Sequence, residues 1–184
     1  MLKIVTIAGT NSQDSINNSL IAYTKTLMDD VEFLNIDLNN YLLPIFGVDY
    51  ETENGLPSAV KSLNKVIDQA DGFMLSLAEH NGSYSAVFKN TLDWLSRINL
   101  SVWRNKPMLL MATSPGARGG ANVLASAQAY FPFLGADIKA TFSLPSYSKN
   151  FSEGRIQNSE LQKILKQKVL VFKEQLHKVE PISH

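Results

Sequence analysis

The sequence predicts a single α/β domain: a five-stranded parallel sheet with helices on both faces. Three observations predict it. Five apolar runs alternate with stretches of helical pattern along the chain, and such alternation makes neighbouring strands parallel, joined by right-handed crossovers. The first run is β-branched and apolar throughout, as a strand buried on both faces must be. The chain has 184 residues, 45% hydrophobic and 18% charged, which suits one domain with a sizeable core and argues against disorder.

The elements are predicted in order as follows. Residues 2–8 form the first strand, ended by Gly9, and a polar stretch runs over 10–18. A helix over 19–29 carries Leu20, Tyr23, Thr24, Leu27 and Met28 on one stripe. Residues 31–38 form the second strand, and 41–55, with Pro44, Gly47 and Gly55, read as irregular. A helix over 56–70 accepts Pro57 in its first turn. The third strand is 72–78, followed by a polar loop over 79–85 and a helix to Ile98. The fourth strand, 107–113, is very apolar; after the loop 114–120 comes an Ala-rich helix over 121–131. A fifth strand over 137–142 and a terminal helix of good helix formers over 160–176 complete the pattern. Five strands favour the order 2-1-3-4-5 of a flavodoxin-like three-layer sandwich. One domain is expected over 1–184, frayed from about residue 178.

Composition narrows the function. Seventeen Lys plus Arg balance seventeen Asp plus Glu, which gives no support for a nucleic-acid or anionic-membrane partner and permits self-association. With no cysteine, thiolate nucleophiles, disulfides and zinc–cysteine sites are excluded, and a cytoplasmic setting fits. The apolar N-terminal run is too short for a signal peptide, and no stretch approaches the ~18 apolar residues of a membrane span.

Ligands of such sheets sit beyond the carboxyl ends of the strands, near the switch in strand order. The loops after strands one, three and four all carry unusual chemistry. The first, Gly9-Thr10-Asn11-Ser12-Gln13-Asp14-Ser15-Ile16-Asn17, offers hydroxyls, amides and a helix N-terminus to an anion, without phosphate-loop or dinucleotide glycine spacing. Read alone, it is equally an ordinary N-cap, and Asp14 is unwelcome near a phosphate. The second, Glu79-His80-Asn81-Gly82-Ser83-Tyr84-Ser85, can present backbone amides to the edge of a planar heterocycle, with Gly82 free to take positive φ. The third, Ser114-Pro115-Gly116-Ala117-Arg118-Gly119-Gly120, leaves room for a flat ligand against the backbone.

Together these segments resemble the NADPH-dependent FMN reductase family, which includes flavodoxin-like quinone, azo-dye and chromate reductases. The resemblance is carried by Glu79-His80-Asn81-Gly82-Ser83 followed by Lys89-Asn90-Thr91-Leu92-Asp93-Trp94, by the 114–120 loop, and by Leu43-Pro44-Ile45-Phe46. It implies bound FMN, with NAD(P)H as co-substrate. Gly9, Thr10, Asn11, Ser12, Ser15 and Asn17 would surround the phosphate, Ser15 and Asn17 holding it. Glu79, His80, Asn81 and Gly82 would meet the isoalloxazine or ribityl group, and Ser114 and Gly116 would line the opposite side. Arg118 would meet a phosphate of the nicotinamide cofactor. The resemblance also implies a homodimer or homotetramer, and Trp94 reads as packing.

Two departures stand out. Ser12 occupies the place of a common family arginine; losing that cation removes a contact worth roughly 1.5–3 kcal/mol and predicts FMN held about tenfold more weakly or worse. His80 replaces a tyrosine, with less stacking area and a titratable ring. The expected reaction passes electrons from NAD(P)H through FMN to a small acceptor such as a quinone, both substrates using one flavin face in turn. No side chain need act as nucleophile or general base, and no metal is expected. The alternatives are a non-enzymatic FMN electron-transfer or redox-sensing module, and a flavin-free binding protein on the same fold.

Overall fold

A computed structural model describes residues 1–176. The expected fraying from about residue 178 lies outside the described residues. The sheet consists of β1 (Leu2–Gly9), β2 (Val31–Ile36), β3 (Gly72–Leu77), β4 (Lys106–Thr113) and β5 (Ala136–Leu144). All neighbours pair in parallel, in the order β2-β1-β3-β4-β5, as expected.

Side-chain alternation divides the apolar runs between two cores. Val5, Ile7, Phe73, Leu75 and Leu110 face one side, where helices α3 (Ser58–Ile67), α4 (Ala86–Ile98) and α5 (Ala121–Tyr130) supply Leu63, Leu95 and Val123. Ile4, Met74, Leu109 and Met111 face the other, covered by Leu20 of α1 (Ile16–Lys25) and Phe172 of α7 (Ser159–Leu176). Every residue of β3 is buried, so neither face tolerates a polar side chain without a partner; Ser76, the exception in type, has one. Register places Gly9 beside Leu77, Leu77 beside Ala112, and Thr113 beside Leu144. The carboxyl ends of four strands therefore lie along one edge, and the loops that leave them are neighbours.

Several boundaries differ from the sequence reading. Helix α1 begins at Ile16 because the Ser15 side chain accepts from the N–H groups of Asn17 and Asn18 and so starts the helix itself. The stretch read as irregular contains helix α2 (Val48–Asn54), whose flanking Gly47 and Gly55 are its caps. Asp49 and Glu51 in its first turn complement the helix dipole. Residues 144–156, to which no element was assigned, hold a short helix α6 (Tyr147–Asn150) and a hairpin pairing Phe151–Ser152 with Arg155–Ile156.

Candidate functional site

The loops after β1, β3 and β4 meet in a cleft of about 190 Å³, whose walls include Thr10, Ser12, Ser15, Asn17, Glu79, His80 and Ser114. Of the residues predicted from the sequence, these seven are brought together. Gly9, Asn11, Asn81, Gly82, Gly116 and Arg118 lie in the same three loops but outside the cleft wall.

The first loop is organised by its hydroxyls. Thr10 accepts the N–H of Ser12 at 3.1 Å, and Ser15 accepts those of Asn17 and Asn18, each at 3.2 Å. The N–H groups of Asn11, Gln13 and Asp14 meet no acceptor among the described residues. Hydroxyl hydrogens, spare amides and the positive end of a ten-residue helix make a donor-rich wall suited to an anion. Asp14 also lines it and opposes that charge.

Asn17 is committed elsewhere. Its Oδ1 accepts from Ser76 Oγ at 2.7 Å and from the Thr113 amide at 3.2 Å, and its Nδ2 points to the Thr113 carbonyl at 3.5 Å. With its own amide on Ser15, the residue pins the first turn of α1 to the ends of β3 and β4. Asn17 holds the cleft's shape and has little capacity left for a ligand.

The second loop is a two-residue hairpin. Glu79–His80 pairs with Ser83–Tyr84, and Asn81 (φ 51°) with Gly82 (φ 78°) forms the turn. Positive φ at both centres is the type I′ geometry that matches strand twist and that Asn-Gly favours. The Glu79 carboxylate reaches the start of α5: Oε2 accepts the Asn122 and Val123 amides at 2.9 and 3.0 Å, closing the helix N-terminus. His80 is exposed at the rim. At the base of the hairpin, Ser85 donates to the Gly9 carbonyl at 2.7 Å and caps α4 through the Phe88 amide. The first and second loops are thereby tied directly.

The third loop rests on residues 143–147. The Ser114 carbonyl accepts from the Tyr147 amide at 3.1 Å, the Gly116 carbonyl from Ser146 at 2.9 Å, and the Gly119 carbonyl from Ser143 Oγ at 2.9 Å. Gly119 lies so close that an added Cβ would come within 2.9 Å of the backbone of Leu144 and Pro145. Arg118 donates to Asn122 Oδ1 at 2.6 Å, and Asn122 Nδ2 reaches Glu79 Oε1 at 3.4 Å. A polar chain from Glu79 through Asn122 to Arg118 so links the second and third loops. Asn122, Ser76, Ser85 and Thr113 were not singled out from the sequence, since their partners lie 43 to 96 residues away.

The Lys89–Trp94 motif also acquires a structural role. Asn90 accepts the Phe46 amide at 2.8 Å and donates to the Pro44 carbonyl at 3.0 Å, which also receives Trp94 Nε1 at 2.7 Å. Phe46 meets the Trp94 ring edge-on at 5.1 Å. Trp94 is fully buried packing, as expected, and α4 clamps the Leu43–Phe46 segment.

A parallel sheet in this order, with polar loops and a helix N-terminus converging at its switch point, defines a flavodoxin-like α/β protein. The chain belongs to the NADPH-dependent FMN reductase family, which it matches over residues 2–149. It is 35% identical over 122 residues to a 2-hydroxy-1,4-benzoquinone reductase of a Burkholderia species, covering 65% of this chain and 64% of that protein. It is 30% identical over 137 residues to a quinone reductase of Escherichia coli K12, covering 74% and 73%. Among solved structures, a flavoenzyme NAD(P)H:(acceptor) oxidoreductase of Paracoccus denitrificans superposes with TM-score 0.79 over 97% of this chain and 98% of that one, at 24% identity. An NADH:FMN oxidoreductase superposes with TM-score 0.67 over 98% and 92%, at 20% identity. These superpositions concern the fold.

The residues present fit FMN in two respects. The first loop supplies donors for a phosphate monoester, and the hairpin and third loop leave backbone edges on either side of the cleft. Ser12 in place of an arginine, and Asp14 nearby, make the phosphate end less positive than the fold permits.

Proposed function

We propose that the chain is an NAD(P)H-dependent FMN oxidoreductase that reduces small acceptors of the quinone class. The observation that carries this reading is the joining, in one cleft, of a phosphate-type loop with two backbone-rich loops at the switch point. The relatives' activities, quinone reduction above all, support it. At about 190 Å³ the cleft falls below the roughly 300–1,000 Å³ of pockets that enclose a whole ligand. It suits the phosphate and ribityl end, with the ring system lying across the rim between His80 and Ser114.

In this reading Thr10, Ser12 and Ser15 hold the phosphate, and the 79–84 hairpin and Ser114 fix the ring plane. Arg118 meets a phosphate of the nicotinamide dinucleotide. Bound FMN supplies the hydride and electron chemistry. The protein orients it and leaves one face open, and no side chain carries a proton in the scheme. The reading includes a homodimer or homotetramer and a cytoplasmic setting, with which a cysteine-free chain agrees.

Titration of the apoprotein with FMN, followed by flavin fluorescence, tests the reading. Saturable quenching is expected; its absence up to about 50 µM would overturn a flavin site. Ser12→Arg should tighten FMN about tenfold by restoring a charge-assisted contact. Steady NAD(P)H oxidation with menadione separates the enzyme from an electron carrier, which would turn over no acceptor of this kind.

A further inference from the structure

Arg118 is the one lysine or arginine in the three loops that form the cleft. Its backbone is fixed: the carbonyls of Gly116 and Gly119 on either side accept from the Ser146 amide and Ser143 Oγ, each at 2.9 Å. Its guanidinium is held as well. Nη2 donates to Asn122 Oδ1 at 2.6 Å, and among the described residues Arg118 forms no ion pair. An exposed side chain with many rotamers is thus ordered before any ligand arrives, which lowers the cost of binding one.

Asn122 is fixed in turn. Its own amide and that of Val123 donate to Glu79 Oε2, and its Nδ2 reaches Glu79 Oε1 at 3.4 Å. The same Nδ2 lies 3.5 Å from where a Cβ on Gly82 would stand, so this side chain fills the space between the third loop and the hairpin turn. Arg118 needs an acceptor and Glu79 a donor, and only one orientation of the amide serves both.

The arrangement separates two opposite charges. A guanidinium already paired with a carboxylate attracts an incoming anion less, because the two fields oppose each other. The Asn122 oxygen occupies one N–H of Arg118 and leaves its positive charge whole. The Glu79 charge is met instead by two amides at the positive end of α5.

We propose that Asn122 is a positioning residue for the electron donor: it holds Arg118 apart from Glu79 and keeps the guanidinium charge for a phosphate of the nicotinamide dinucleotide. The proposal rests on the reading above, in which the cleft holds FMN and Arg118 meets that phosphate. Asn122 acts through Arg118 and touches neither flavin nor donor.

Stopped-flow bleaching of the FMN-loaded protein by NADPH tests it, since it separates the donor Kd from the limiting rate of flavin reduction. Asn122→Ala should raise that Kd about fivefold, the scale of one hydrogen bond, with the limiting rate and kcat/KM for menadione unmoved. Arg118→Gln should raise it about tenfold, and the double variant no further, because Asn122 has no effect without the guanidinium it aims. In a Glu79→Gln background, Asn122→Ala should change the Kd less than twofold, since no carboxylate remains to capture Arg118. A loss with NADPH alone assigns the 2′-phosphate, and an equal loss with NADH the pyrophosphate. An unchanged Kd in Asn122→Ala, losses that multiply in the double variant, or a full loss in the Glu79→Gln background overturns the proposal. If neither donor bleaches the parent flavin, the proposed function fails by itself, and NADP+ titrated into the flavin-free chain decides on Asn122. The Arg118 Nε and Asn122 side-chain amide resonances should then move with one common saturation, about fivefold weaker for Arg118 in Asn122→Ala, and NADP+ that moves neither overturns the proposal.

Discussion

Tyr84 closes the 79–84 hairpin with its ring stacked on Phe131, centroids 6.0 Å apart at 8°, while its hydroxyl is enclosed with no partner among the described residues. Burial, and next the neighbouring Tyr130, push its pKa up to about 12. The unfolded chain ionises this group near pH 10, so the folded state holds the proton longer. The resulting stability is complete below about pH 10 and disappears as pH rises through about 12. Tyr84→Phe should therefore remove that loss, seen as the difference between the two proteins' urea midpoints over this window. At neutral pH the variant should be more stable by about 1 kcal/mol, since an unpartnered hydroxyl costs desolvation without return. A variant less stable than the parent at pH 7 would show that the hydroxyl has a partner. At this scale the sequence disclosed local chemistry only. The loop's capping chemistry was legible because a cap's partners are two and three residues on, although the helix was expected from residue 19 and Ser15 proves to be the cap. Asn17 and Glu79, read as ligand contacts from the family resemblance, also bond to Thr113 and Asn122, which come close only after folding.

The 79–84 segment shows the same division among elements. Asn81-Gly82 between two short pairs carries the type I′ signal, so the hairpin was readable, although the segment was taken for a loop because its strands are two residues each. Its turn fixes where the backbone of the second loop sits against the cleft. Gly82→Ala places a Cβ at φ 78° and should cost about 1–2 kcal/mol in urea unfolding. It should also weaken FMN more than the stability loss explains, because the amides move with the turn; equal FMN affinity would exclude the hairpin from the flavin contact. Helix α2 was hidden for a different reason: its caps are the glycines that mark irregular chain. Helix α6 and the 151–156 hairpin are short, and α6 is held to the third loop through the amides of Ser146 and Tyr147. By contrast the five strands were found to within about two residues, because burial on both faces leaves a signal that needs no tertiary knowledge.

At the level of the whole molecule, strand order followed from alternation alone, but the surface could not, because exposure is a product of packing. Leu42, Ile45, Val48 and Tyr50 are exposed, three of them by 69–87%, on a segment that Asn90 and Trp94 hold rigid. A clamped apolar strip on a molecule with no net charge is poised to bury itself against a second copy. A second strip, Leu100, Tyr130 and Phe133, lies on residues after α4 and at the end of α5. Two such faces on one chain are what a dimer of dimers requires, one for each of two twofold axes. If the 42–50 strip forms the primary interface, Ile45→Lys puts a charge at its centre and should yield monomers in sedimentation velocity, whereas Phe133→Lys should leave dimers. A specific interface buries about 800 Å² on each partner, so the Ile45 variant should also unfold at lower urea, with a midpoint independent of protein concentration. Should Ile45→Lys sediment as the parent does, the strip is not the interface between copies, and its exposure at the edge of α4 belongs to some other contact.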